Sequence, residues 1–211
     1  MKRIIKPRRP SQYPQTDLVI LAGGQARRMN GINKLLQKFD DQIQLIKIHQ
    51  QLKNRVAQIW VNSHRDYSIY QKLIPSLYCY QDDEKGFYGP LMGIKSAWSY
   101  VTSDYVLFVP CDVTFIPPDV LESLHGALAG HPLSQVAYVN INGKALYPFC
   151  LLKRSALNQI CTHLEQGHRS LKACFSDLHA QEALFENHAL FFHSINSLDE
   201  LQQYQQLKFL H

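Results

Sequence analysis

The chain has 211 residues, 45% of them hydrophobic and 18% charged, which gives one folded domain enough material for a core and excludes a disordered chain. The net charge of +5 points at first to a nucleic-acid partner, but five basic residues (Lys2, Arg3, Lys6, Arg8 and Arg9) precede the first acid, Asp17, and without them the two signs balance. No apolar run approaches the roughly 20 residues of a membrane helix, and no apolar stretch follows the basic start as a secretory leader requires. The expectation is a cytoplasmic protein with neither membrane nor nucleic acid as a partner. It has a basic flexible arm over residues 1–16 and one domain over residues 17–211.

The elements alternate in chain order. Residues 17–21 (DLVIL) form a buried strand that runs into Gly23-Gly24. Residues 42–52 carry Ile43, Ile46, Ile48 and Leu52 at roughly helical spacing. Residues 57–62 (AQIWVN) read as a strand, 66–73 as a helix and 77–80 as a short strand entering an acidic loop. A helix over 91–100 follows Gly89-Pro90, because proline in a first helical turn forfeits no hydrogen bond. Residues 105–109 (YVLFV) form a continuous apolar strand of the parallel-sheet kind, and 117–128 a helix.

Past residue 130 the alternation changes. Strands over 135–141 and 145–152 flank Asn142-Gly143, a strong hairpin dipeptide. Helices are expected over 155–166 and 170–175, a late strand over 190–195 and a last helix over 198–207. Repeated βαβ units give an α/β fold with a mostly parallel sheet covered on both faces. The five cysteines form no C-x-x-C pair and suit free thiols in a reducing compartment.

Ligands of open α/β sheets bind beyond the carboxyl ends of the strands. The polar residues placed there are Gly23-Gly24, Asn62, Asp82-Asp83, Asp112 and Asn196. The segment 21–34 (LAGGQARRMNGINK) matches neither G-x-x-x-x-G-K-[ST] nor G-x-G-x-x-G. It still combines a strand end, three glycines, Arg28 and Lys34, a combination suited to cradling and neutralising a triphosphate. Asn62 offers both a donor and an acceptor, which suits a base edge, although an asparagine after a strand is equally an ordinary turn residue. Asp112, delivered by the strand over 105–109, has the hard oxygen that Mg²⁺ prefers, and the alternative for it is a turn or helix-capping role.

These motifs resemble the molybdenum cofactor guanylyltransferase family of nucleotidyltransferases. The resemblance rests on LAGGQARRMNGINK, VNSHR at 61–65, DDEKGFYGPLMG at 82–93 and FVPCD at 108–112, and it runs from about Asp17 to the end. It implies a Rossmann-like three-layer sandwich, as in nucleotide-diphospho-sugar transferases, and transfer of GMP from GTP to the phosphate of molybdopterin with release of pyrophosphate. It also implies Mg²⁺ as cofactor, with Asp112 and Asn196 as its ligands. Leu21, Ala22, Gly23, Gly24, Lys34, Asn62, Asp82 and Asp112 are implied to contact the nucleotide, Asp83 being the one-residue alternative to Asp82. Arg28, Lys34 and Asp112 are implied to be catalytic, and Arg169 to face the pterin. The GTP-binding half spans about 17–130 and the acceptor half about 131–211. Molybdopterin-inserting or molybdoenzyme-maturation proteins are implied as partners.

Three departures accompany the resemblance. Asn33 stands where the family carries aspartate, losing a charge expected to steady Lys34. Ser194 replaces an asparagine, and Ser197-Leu198 replaces Thr-Pro. Cytidylyl transfer to the same cofactor, nucleotidyl transfer to a sugar phosphate, and a slow or non-catalytic GTP-binding relative remain the alternatives.

Overall fold

The computed structural model describes residues 13–23, 31–84, 89–190 and 192–208. Strand β1 (Thr16–Leu21) is buried along its whole length. A single 3-10 turn (Lys34–Leu36) and a two-strand ribbon, β2 (Lys38–Phe39) with β3 (Gln42–Ile43), lead into helix α1 (Gln44–Leu52). The expected helix over 42–52 therefore begins two residues late, because Gln42 and Ile43 pair with Phe39 and Lys38. Next come β4 (Ile59–Asn62), α2 (Tyr67–Leu73), β5 (Tyr78–Tyr80), α3 (Pro90–Ala97), β6 (Tyr105–Pro110) and α4 (Val120–Ala129). The second half adds β7 (Val136–Ile141), β8 (Lys144–Lys153), α5 (Leu157–Glu165), α6 (Leu171–Asp177), β9 (Gln181–Phe185) and α7 (Leu198–Lys208).

Seven strands form one sheet in the order β5-β4-β1-β6-β8-β7-β9. The first four run parallel, β8 is antiparallel to both its neighbours, and β7 and β9 are again parallel. Asn142 (φ 52°) and Gly143 (φ 79°) close the β7–β8 turn in the left-handed region, the conformation that makes Asn-Gly a hairpin signal.

Side chains alternate between two cores. Leu18, Ile20, Leu107 and Val109 pack against α1, α2 and α4 on one face. Val19, Leu21, Val106 and Phe108 pack against α3, α5 and α6 on the other. Burial on both faces explains why the β1 and β6 sequences are apolar without alternation. The expected three-layer α/β sandwich is thus observed. A small third cluster of Phe39, Ile195, Leu201 and Tyr204 seats α7 beside the β2–β3 ribbon.

One expected element is absent from the described residues and one unexpected element takes its place. The late strand over 190–195 is not formed; among the described residues its only ladder contact is one bridge between Ser194 and Val113. The outer strand is instead β9, whose Glu182 and Leu184 are exposed while Ala183 alone is buried, so its sequence lacks an apolar face to read. No helix among the described residues is long and apolar enough to cross a membrane.

Candidate active site

The strand ends are stitched together just beyond the sheet. Ala22 N–H donates to Asn62 O (2.9 Å), Cys111 N–H to Leu21 O (3.1 Å) and Ser63 N–H to Tyr80 O (3.0 Å). The parallel ladder therefore continues past β1, β4, β5 and β6, and the polar residues that follow them share one edge.

The centre of that edge is Lys34. Its Nζ lies 3.0 Å from Asp112 Oδ2 and 3.3 Å from Asn196 Oδ1. The side chains of Lys34 and Asp112 are 14% and 20% exposed, so a cation sits between two oxygen ligands in a partly desolvated recess. Asp112 and Asn196 are held in register by backbone, since Ile195 N–H donates to Asp112 O at 3.0 Å and Thr114 N–H to His193 O at 3.2 Å. Helix α1 grips the same loop from the other side. Gln44 Nε2 donates to Val113 O (2.7 Å) and Lys47 Nζ to Thr114 O (2.9 Å).

Two of the departures find local roles here. Ser194 Oγ accepts from Asn196 Nδ2 at 3.1 Å, which leaves the amide oxygen of Asn196 turned to Lys34. Ser197 Oγ accepts from Glu200 N–H (3.1 Å) while Glu200 Oε2 accepts from Asn196 N–H (2.6 Å). This reciprocal cap starts α7 and ties it to residue 196. The third departure has partners of its own. Asn33 does not steady the Lys34 ammonium; its side chain faces Asp66 and Tyr70 instead.

A second group lies on the β4–β5 side. Asn62 is buried, and its Nδ2 donates to Asp82 Oδ1 at 2.8 Å. His64 Nε2 lies 3.3 Å from Asp82 Oδ2. Asp83 turns away and pairs with Lys95 (2.7 Å), so Asp82 is the acid that shares the edge. Two glycines make space for Asn62. A Cβ on Gly23 would stand 2.8 Å from Asn62 Oδ1, and one on Gly93 2.6 Å from it. Glycine is required at both positions by close approach, the second being the glycine that follows Pro90-Leu91-Met92 in the motif.

Gly24 and Arg28 lie outside the described residues, as do residues 1–12 and 85–88. Arg169 Nη1 donates to Leu164 O at 3.0 Å, at the end of α5. Gly167 (φ 78°) forms the left-handed stop there, with His168 N–H reaching back to His163 O at 2.9 Å. Desolvation, with Asp112 adding to it, pushes the Cys111 thiol up to about 12, so this cysteine stays protonated beside the site.

The donor set fits a hard divalent ion. One carboxylate and one amide oxygen converge on the Lys34 ammonium, which stands where a cation is favoured. Among the described residues no group of three or more His, Cys, Asp or Glu side chains could hold a metal. Two protein oxygens supplemented by phosphate and water oxygens are the usual magnesium arrangement.

Comparison with known proteins shows the family to which the chain belongs. A family model described as the MobA-like NTP transferase domain matches residues 18–182. A molybdenum cofactor guanylyltransferase of Acinetobacter baumannii is 65% identical over 196 residues, spanning 93% of this chain and 94% of that protein. One from Pasteurella multocida is 38% identical over 186 residues, 87% of this chain and 96% of its own. The crystal structure of molybdopterin-guanine dinucleotide biosynthesis protein A from Archaeoglobus fulgidus superposes with a TM-score of 0.67 at 19% identity, covering 92% of this chain and all of that one, a likeness of fold.

Proposed function

The chain belongs to the MobA-like NTP transferase family and is a nucleotidyltransferase, and on that premise we propose that it transfers GMP from GTP to the phosphate of molybdopterin, forming the guanine dinucleotide and releasing pyrophosphate. The observation that carries the proposal is the convergence of Lys34, Asp112 and Asn196 on one point at the carboxyl edge of the sheet. It is supported by the 65% identical relative that bears the name of this activity.

Asp112 and Asn196 are the residues that would hold Mg²⁺. When bound, the ion supplies charge neutralisation to the phosphates of GTP. Lys34 exchanges Asp112 for phosphate oxygens and stabilises negative charge on the departing pyrophosphate; Arg28 shares that role. The backbone of residues 21–24 lines the triphosphate. Asn62 holds Asp82 in place, and Asp82 accepts from the guanine edge. The acceptor is an anionic phosphate monoester, so no strong general base is needed. Positioning and charge stabilisation carry the rate.

The domain is read as one unit over residues 17–211, with nucleotide held by about 17–130 and acceptor by about 131–211; the single sheet running through both halves supports this. All five cysteines are free, in keeping with a reducing compartment such as the cytoplasm. The proteins that receive the product are proposed as its partners.

Pyrophosphate release is the test. The purified chain with Mg²⁺ is given GTP or CTP, each with molybdopterin or a hexose 1-phosphate. Release only with GTP and molybdopterin is expected. A preference for CTP, or for the sugar phosphate, overturns the assignment.

A further inference from the structure

Every hydrogen-bonding atom of the Asn33 side chain is engaged. Oδ1 accepts from Leu35 N–H (3.0 Å), capping the turn that begins at Lys34. Nδ2 donates to Asp66 Oδ2 and to the Tyr70 hydroxyl, each at 2.6 Å. Both partners belong to the start of α2. Asp66 is its N-cap in the left-handed region (φ 64°), and Tyr70 is fully buried. The same turn of α2 is fastened to the residue after Asn62, because Tyr67 donates to Ser63 O and the Tyr70 hydroxyl lies 3.5 Å from Ser63 Oγ. One side chain thus joins the segment carrying Lys34 to the segment carrying Asn62.

We infer that Asn33 is a positioning residue for Lys34 that works only as an amide, because the partner across the loop, Asp66, is a carboxylate. The inference rests on the GTP reading given above. An aspartate at 33 would keep the shape and the Leu35 cap, since aspartate and asparagine cap equally well. It would lose both donated bonds and set two carboxylates at hydrogen-bond distance, an arrangement in which like charges disfavour joint ionisation. Lys34 offers no relief, being held by Asp112 and Asn196. Arg65 lies 3.7 Å from Asp66 but is 46% exposed, so solvent screens it. Tyr70 could reverse its hydroxyl and donate to the introduced carboxylate, recovering one contact of the two. The lock therefore consists of one amide and one carboxylate, and exchanging them between positions 33 and 66 keeps it whole. An amide at position 66 could then donate to a carboxylate at position 33, and asparagine tolerates the left-handed backbone found at 66.

The test compares wild type, N33D, D66N and N33D/D66N for equilibrium GTP affinity and for steady-state transfer. N33D is expected to weaken GTP binding and to lower kcat/KM for GTP about tenfold or more, with KM for molybdopterin unchanged. D66N keeps an amide-to-amide bond and falls only a few-fold, and the exchanged double variant returns to within about threefold of wild type. A loss confined to fold integrity would lower the active fraction and with it kcat, leaving KM for GTP and the GTP affinity of the folded fraction unchanged. Wild type that binds GTP but transfers nothing sinks the reaction, while the affinity series still decides the lock. Wild type that fails to bind GTP overturns both. N33D with undiminished affinity, or a double variant no better than N33D, overturns the lock.

Discussion

The Lys34 ammonium and the Asp112 carboxylate, 78 positions apart in the chain, meet at 3.0 Å beyond the end of β6. The pair, with side chains 14% and 20% exposed, is not a major source of stability, because the cost of partly desolvating both charges offsets much of their attraction. In the proposed reaction its value lies in aiming a cation and an anion at the place where a triphosphate and its counter-ion would converge. Lys34→Ala is therefore expected to lower GMP transfer by about 10²–10³-fold while the unfolding free energy changes by less than about 1 kcal/mol. Paired kinetic and urea-unfolding measurements check this, and equal losses in both would assign Lys34 to the scaffold.

Gly93→Ala tests the packing around Asn62. The added methyl would meet Asn62 Oδ1 at 2.6 Å and Leu21 Cδ2 at 3.3 Å, so the amide must leave Asp82. Overpacking of this kind costs about 1–3 kcal/mol, and GTP affinity is expected to fall with it. Adding Asn62→Ala should relieve the clash and recover stability but not affinity. Thermal melting and GTP titration of the two variants read the two effects separately, and recovery of both would remove Asn62 from the site.

Gln44 controls the Asp112 loop from inside the core. It is fully buried and donates to Val113 O, the residue after Asp112. Gln44→Leu leaves that carbonyl without its donor, a loss of about 1–3 kcal/mol. Transfer at subsaturating Mg²⁺ should fall more than transfer at saturation, because the displaced element is the proposed metal loop. A uniform fall at all Mg²⁺ concentrations would make Gln44 purely structural.

His125 gives the fold an acid-sensitive point. It is 7% exposed, stacks on Tyr13 with ring centroids 4.9 Å apart, and lies 2.8 Å from Thr16 Oγ1. Burial lowers its imidazole from 6.5 to about 4. On acidification the unfolded chain takes up this proton near pH 6.5, whereas the folded chain resists until about pH 4. The stability that rests on neutral His125 is thus complete above pH 6.5, is lost progressively from there down to about pH 4, and falls no further below. The loss is on the order of 3 kcal/mol. Urea unfolding from pH 7.5 to 4.5 should show a shallower slope for His125→Phe than for wild type, and coincident slopes would contradict the assignment.

The parts of this fold that are legible in the sequence are those whose signal is local. DLVIL and YVLFV are apolar on both faces because both faces are buried, and Asn142-Gly143 can close a tight turn because both residues adopt positive φ. Strand β9 is illegible because a single small residue, Ala183, carries its burial and its pairing with β7 makes it a strand. Residues 190–195 look like a strand but supply packing for α7 and one bridge to the Asp112 loop. At the site, the residue types and strand ends were legible, whereas the partners were not. Asn33 beside Lys34 looks like a lost charge until Asp66 is found 2.6 Å away, 33 positions later. Ser194 looks like a lost asparagine until its hydroxyl is found orienting Asn196.

Asp112 and Lys34 are the proposed catalytic centre of the guanylyl transfer to molybdopterin. Its most direct test is chromatographic quantitation of the guanine dinucleotide formed from GTP and molybdopterin across a Mg²⁺ titration, for wild type and Asp112→Asn. Wild type should form the dinucleotide with saturable Mg²⁺ dependence, and the variant, isosteric but uncharged, should form at least about 10²-fold less at every Mg²⁺ concentration. Equal dinucleotide formation by the variant at the same Mg²⁺ concentrations would contradict the account.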